Sequence, residues 1–256
     1  MPEQKRPRGR GLIALVVVLV LLLAAAIAAE LIARQYAASY IRERVVSTLG
    51  LAPDAPVNVD FGGGSIILQA AGGSIDNVTI RVDAVLLGDV KANAVVTATH
   101  VPLDENKPIQ NLDITATISE RNVRKLAPYL SGYGLKSIDL GHGVITINSD
   151  FTVFVFSTPV SVDLVPSAHN GAINFDPKTV TLGGQHISVT DLRNNKFFSA
   201  FTGDLLDSRD YCVANYLPKA LTVTNVKVVG SKLVVTVNGD GTALADPDLA
   251  VRGTCQ

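Results

Sequence analysis

The chain has 256 residues, a formal net charge of −1, 47% apolar residues and only 18% charged ones. A composition so rich in Val, Ile and Leu and so poor in charge excludes intrinsic disorder, and two cysteines with one methionine and no tryptophan argue against a haem, iron–sulfur or zinc-cluster protein. Lys5, Arg6, Arg8 and Arg10 precede the rest of the chain, and from Glu30 onward 18 basic residues face 22 acidic ones, so no nucleic acid is expected as a partner.

Residues 12–29 form an uninterrupted apolar run of 18 residues. As a helix this run spans ~27 Å, close to the ~30 Å hydrocarbon core of a bilayer. The basic residues before it hold the N-terminus in the cytoplasm, which places everything beyond on the outer side of the inner (plasma) membrane. The expected division is a cytoplasmic tail over 1–10, an anchor over 11–29 and an exported domain over 30–256, in the periplasm or cell envelope. A cleaved signal peptide is the alternative, since residues 24–29 offer Ala-x-Ala sites behind a basic n-region.

Residues 30–50 predict an amphipathic helix that continues the first, with Leu31, Ala38, Ile41, Val45 and Leu49 as its apolar stripe and Arg34, Arg42, Glu43 and Arg44 opposite. Gly50 and Pro53 end it. The run Gly62-Gly63-Gly64-Ser65 turns the chain or lets backbone approach a neighbour, because it lacks the closing glycine of a nucleophile elbow.

Period-two alternation then dominates, at Val78, Ile80 and Val82, at Val90 through Ala98, and at Leu112 through Ile118. Such strands have one apolar and one wetter face, as in an antiparallel sheet. Residues 151–156 are apolar on nearly both faces and predict a covered central strand. Residues 221–229 and 232–238 flank Gly230-Ser231, a two-residue hairpin turn. Two helices interrupt the strands. Ser119 is the expected cap of one, with Val123, Leu126, Ala127 and Leu130 on its stripe; Asp191 is the expected cap of the other, which carries Leu192, Phe197, Phe198, Phe201 and Leu205. Strand runs broken by isolated helices indicate the α+β class.

Chemistry-bearing patterns are scarce. No phosphate-binding or dinucleotide loop occurs, and His100, His142, His169 and His186 show no short ligand spacing, so no metal, cofactor or catalytic residue is assigned. Asp139 near His142 is the one candidate acid–base pair. Cys212 and Cys255 both follow the membrane segment; an oxidising compartment would join them, and two separate buried thiols are the alternative.

Several stretches carry a resemblance: Glu30-Leu-Ile-Ala-Arg-Gln-Tyr behind the anchor, Val45-Val-Ser-Thr-Leu-Gly-Leu-Ala-Pro, Ser65-Ile-Ile-Leu-Gln-Ala-Ala-Gly-Gly-Ser-Ile-Asp-Asn-Val-Thr-Ile, and Cys212-Val-Ala-Asn-Tyr-Leu-Pro-Lys-Ala-Leu-Thr-Val with Cys255 at the end. In these the chain resembles the LmeA-like family of actinobacterial envelope phospholipid-binding proteins. One departure is that Gly63-Gly64-Ser65-Ile66-Ile67-Leu68 stands where the family often has a Phe-Pro-Phe-Leu-like stretch.

The resemblance implies a tubular lipid-binding (TULIP-like) architecture, a curved antiparallel sheet wrapping a long amphipathic helix. It also implies phospholipid as ligand and a link to lipomannan synthesis, with an envelope glycosyltransferase as an expected protein partner. An acyl groove would then be lined by Ile66, Ile67 and Leu68, by Val123, Leu126 and Leu130, and by Phe197, Phe198, Phe201 and Leu205. The alternatives are that these stripes are ordinary core, that the domain is a scaffold docking a partner enzyme, or that it hydrolyses envelope lipid or glycan.

Overall fold

The apolar run and the amphipathic stretch behind it form one helix, α1 (Gly9–Thr48), about 60 Å long. In the computed structural model residues 9–48, 50–87, 90–125, 135–153, 156–169, 171–194 and 208–255 are described. Side chains 14–29 of α1 make no protein core and are exposed, Leu15 through Leu23 by 51–66%. The span is apolar enough to cross a membrane, and a signal sequence meets the same criterion.

Beyond residue 29 the half-buried positions of α1 are 30, 33, 34, 37, 38, 41, 42, 45 and 46, one face of a helix. This face holds Ala38, Ile41 and Val45 of the expected stripe but not Leu31, and Leu49 lies outside the described residues. Leu31 is 62% exposed, whereas Ala33, Ala37, Ala38 and Ile41 pack against a core of Phe61, Ile66, Ile75 and Val78. Arg34 and Arg42 lie on the packed face. Arg42 Nη2 donates to Pro53 O and Ala55 O, both at 3.1 Å, and Arg34 Nη1 donates to Gly62 O at 3.2 Å. The irregular loops on either side of β1 (Val57–Asp60) leave carbonyls that no strand satisfies, and the guanidinium groups satisfy them.

After β1 the glycine run leads into α2 (Ile66–Ala71). The strands β2 (Ser74–Leu87), β3 (Val90–Pro102) and β4 (Asn111–Ser119) follow as a meander, and α3 (Glu120–Val123) leads away from β4. The second half holds β5 (Leu135–Gly141), β6 (Val144–Val153), β7 (Phe156–His169), β8 (Ala172–Leu182), β9 (Gln185–Ser188), α4 (Val189–Asn194), β10 (Arg209–Cys212) and the hairpin β11 (Thr222–Val229) with β12 (Lys232–Asn238). One antiparallel sheet has the order β1-β2-β3-β4-β12-β11, and the other has β10-β8-β7-β6-β5 with β9 on β8. The last hairpin thus returns to complete the first sheet. The class is α+β, an apolar N-terminal helix followed by antiparallel sheets, and the strands are divided between two of them.

The sheets face one another through aliphatic side chains. Val123, Ile138, Leu140, Ile145 and Val228 form one buried cluster, with Ile118, Leu233 and Phe175 against it. Val223, Val226 and Val237 form another, packed with Ala168, Ile173 and Val213. Cys212 and Cys255 are joined in a disulfide with Cα atoms 5.7 Å apart, which ties the C-terminal end to β10.

Three local expectations change. Val153, the last residue of β6, pairs with Phe156, the first of β7, so the 151–156 stretch belongs to two strands and not to one central strand; a continuous apolar run carries no signal for the boundary. Ser119 precedes α3, but its hydroxyl makes no capping bond. The start of α4 is capped by Ser188, whose Oγ accepts from the Asp191 N–H at 3.0 Å and donates to Asp191 Oδ2 at 2.6 Å. Asp191 therefore sits at the third helical position, where a carboxylate partners the cap and favours the N-terminal dipole.

Candidate lipid-binding site

Glu30 is the first charged residue after the apolar run, and its carboxylate organises the loop between β1 and β2. Glu30 Oε1 accepts from the Ile66 N–H at 2.7 Å and from Arg34 Nε at 2.8 Å. Oε2 accepts from Ser65 Oγ at 2.7 Å and from the Ile67 N–H at 3.4 Å. The Ile66 N–H above all, with Ser65, Ile67 and Arg34 adding and partial desolvation opposing, holds the Glu30 carboxyl down to about 2 from an ordinary 4.5.

The glycines make this geometry possible. Gly62 and Gly64 adopt φ +66° and +84°, where side chains are strained. Their carbonyls receive Arg34, and the Gly63 carbonyl receives Gln69 Nε2 at 3.1 Å. Ser65 caps α2 by accepting from the Leu68 N–H at 3.3 Å.

The buried interior of the fold is apolar. Among the described residues Thr242 is the one buried polar side chain; the other buried side chains are aliphatic, with Phe61. None of the described large side chains is sealed below 2% exposure. Val82, Val85, Val90 and Ala92 continue the buried strip toward the far end of the β2–β3 hairpin. Of the cavities that open on the described surface, two are defined by their linings. The larger, about 650 Å³, is lined by charged side chains of both signs, Glu120 with Arg121, Arg124, Lys125 and Lys232. The smaller, about 280 Å³, lies between Gly171, Leu217, Leu221 and Val223.

The lining residues expected from sequence divide between two places. Ile66 is buried beside Phe61, Ile75 and Val78. Ile67 and Leu68 point outward, 42% and 73% exposed. Val123 is buried in the separate inter-sheet cluster. Leu126, Leu130, Phe197, Phe198, Phe201 and Leu205 lie outside the described residues. Sequence reasoning missed Glu30, whose position as first charge after the apolar run, with a Ser-capped helix 35 residues on, was the available signal.

Asp139 is engaged by Arg124, by Asn148 Nδ2 at 2.5 Å and by Ser137 Oγ at 3.3 Å. His142 occupies the tight turn between β5 and β6 at φ +51°. His186 Nδ1 bonds Thr181 Oγ1 at 2.8 Å. Among the described residues no three His, Cys, Asp or Glu side chains gather as a metal site would require.

No curated protein and no solved structure matches the chain. A family profile described as LmeA-like phospholipid-binding matches residues 28–238, from the middle of α1 to the last residue of β12. The two antiparallel sheets behind an apolar helix are consistent with the tubular lipid-binding architecture. The chain belongs to the LmeA-like phospholipid-binding family.

Proposed function

We propose that this protein is a tethered cell-envelope protein that binds phospholipid, laying the acyl chains against the aliphatic faces of its two sheets. Residues 1–10 stay in the cytoplasm, 11–29 span the plasma membrane, and 30–256 form the exported lipid-binding domain. The observation that carries this reading is the near absence of buried polar side chains from the fold, Thr242 alone among the described residues. Hiding acyl chains from water is worth ~0.8 kcal/mol per methylene, so two chains require a long lining without charge. Ile66, Val123 and the aromatic stretch with Phe197, Phe198 and Phe201 are proposed to contribute to it.

The role is to hold or shuttle lipid, with no catalytic centre and no cofactor. Service to lipomannan synthesis, beside an envelope glycosyltransferase, extends the reading and is supported by the family resemblance alone. Native mass spectrometry of the full chain released from detergent micelles tests the binding. A phospholipid-sized adduct that outlasts removal of the detergent is expected. A bare chain, together with an interior closed throughout by side chains, would favour a docking scaffold instead.

A further inference from the structure

The apolar part of α1 ends at Ala29, so Glu30 lies ~1.5 Å further along the helix axis. Helical side chains lean toward the helix N-terminus, here the bilayer side, so the Glu30 carboxylate sits no higher than its own Cα. The first turn of α2 is hydrogen-bonded to that carboxylate through Ser65 Oγ at 2.7 Å and the N–H groups of Ile66 and Ile67 at 2.7 and 3.4 Å. It is therefore fixed within the headgroup layer, which is ~5–7 Å deep on each side of the hydrocarbon.

At this level Ile66 turns into the fold, and Ile67 and Leu68 turn out of it, 42% and 73% exposed. Leu103, 55% exposed, joins them at the start of the β3–β4 loop. The link is backbone to backbone: the Gly72 N–H donates to Leu68 O at 3.0 Å, and the Leu103 N–H donates to Gly73 O at 3.0 Å. We infer that α2 and the β3–β4 loop rest on the outer face of the bilayer, with Ile67, Leu68 and Leu103 inserted at the headgroup–acyl boundary. This inference rests on the reading that residues 11–29 span the membrane.

The occupant of this rim is lipid, because the rim adjoins the helix segment that already crosses the bilayer, and a protein there would have to displace lipid. The attachment is apolar. Arg34 is committed to Glu30 and the glycine carbonyls, Lys107 faces Asp104 at 4.0 Å, and Glu105 adds negative charge. Neutral phosphatidylcholine therefore suffices and salt has little effect. Resting there, the end of β1, the start of β2 and the end of β3 meet the bilayer directly, so a lipid could pass between membrane and sheets without crossing water.

The chain contains no tryptophan, so a single introduced indole is the only one present. Leu68→Trp in the full chain, reconstituted into phosphatidylcholine vesicles brominated near the acyl carbonyl, should lose emission about two-fold or more relative to unbrominated vesicles, as expected of an interfacial side chain. Leu103→Trp repeats the measurement if the first variant fails to fold. Val229→Trp, at the opposite end of the first sheet, should be unaffected. Leu19→Trp should be quenched by bromines deeper in the acyl chains. Unquenched Leu68→Trp and Leu103→Trp with a quenched Leu19→Trp overturn the docking and leave the anchor in place. If Leu19→Trp is unquenched as well, the membrane-spanning reading falls with it. Blue-shifted emission at residue 68 without bromine quenching means that protein covers the rim, and it also overturns the inference.

Discussion

The Ile66 N–H donates a 2.7 Å hydrogen bond to Glu30 Oε1, across 36 residues of sequence. Through that contact the end of the apolar helix and the start of the sheet are one construction: α1 cannot tilt without moving α2, and α2 cannot leave without stripping the carboxylate of its donors. The Ser-capped turn and the glycine carbonyls around it are satisfied only in this arrangement.

The Glu30 carboxyl is held at about 2 against an ordinary 4.5. A lowered folded-state pKa stabilises the fold fully above the unfolded value and loses that contribution as pH falls from 4.5 toward 2. Hydrogen exchange, corrected for its intrinsic pH dependence, should show protection of the Ile66 and Ile67 amides declining across that window. Glu30→Gln should lower that protection several-fold at neutral pH and flatten the decline. Equal protection in the variant and the parent at neutral pH would show that the contact contributes nothing.

The packed face of α1 makes a paired prediction. Arg42→Ala removes the donor to Pro53 O and Ala55 O and should cost about 1–2 kcal/mol in denaturant unfolding, as charged hydrogen bonds do. Leu31→Ala, at a position 62% exposed, should change stability by less than ~0.5 kcal/mol. The opposite ranking would restore the stripe expected from periodicity.

Val123 is 5% exposed inside the inter-sheet cluster. Val123→Ala should destabilise by about 2 kcal/mol, the loss of two buried methyl groups with the space they leave. Lipid retention should fall with it, as the proposed lining role requires, and unchanged stability would show that the cluster is not close-packed at this position.

The Cys212–Cys255 bridge closes a loop with a sequence separation of 43. Replacing both with Ser should lower stability by up to ~4 kcal/mol, following the restriction of the unfolded chain. Alkylation of both thiols in the native untreated protein would refute the bridge.

Much of the architecture is legible in the sequence. The membrane-length helix, the alternating strands, the Gly230-Ser231 hairpin and the paired cysteines follow from periodicity, turn chemistry and position. What stays hidden is set by partners distant in the chain. Arg34 and Arg42 read as a solvated face because their partners are backbone carbonyls of residues 53–64, which composition cannot reveal. Ile66, Ile67 and Leu68 are alike in sequence, yet one is core and two are surface, since the orientation of α2 is chosen by Glu30 and not by hydropathy. The 151–156 run reads as one strand because both arms of the hairpin are equally apolar.

The direct measurement of acyl binding between the sheets is photo-cross-linking with a phospholipid carrying a diazirine near the end of one acyl chain, applied to the full chain in vesicles, with adducts mapped by peptide mass spectrometry. Adducts on the inner residues of β2, β3 and β4, such as Val82, Ala92 and Ile114, are expected alongside those on residues 12–29. Adducts confined to residues 12–29 and the α2 rim would mean that the sheets never enclose lipid, and phospholipid binding by the exported domain would be contradicted.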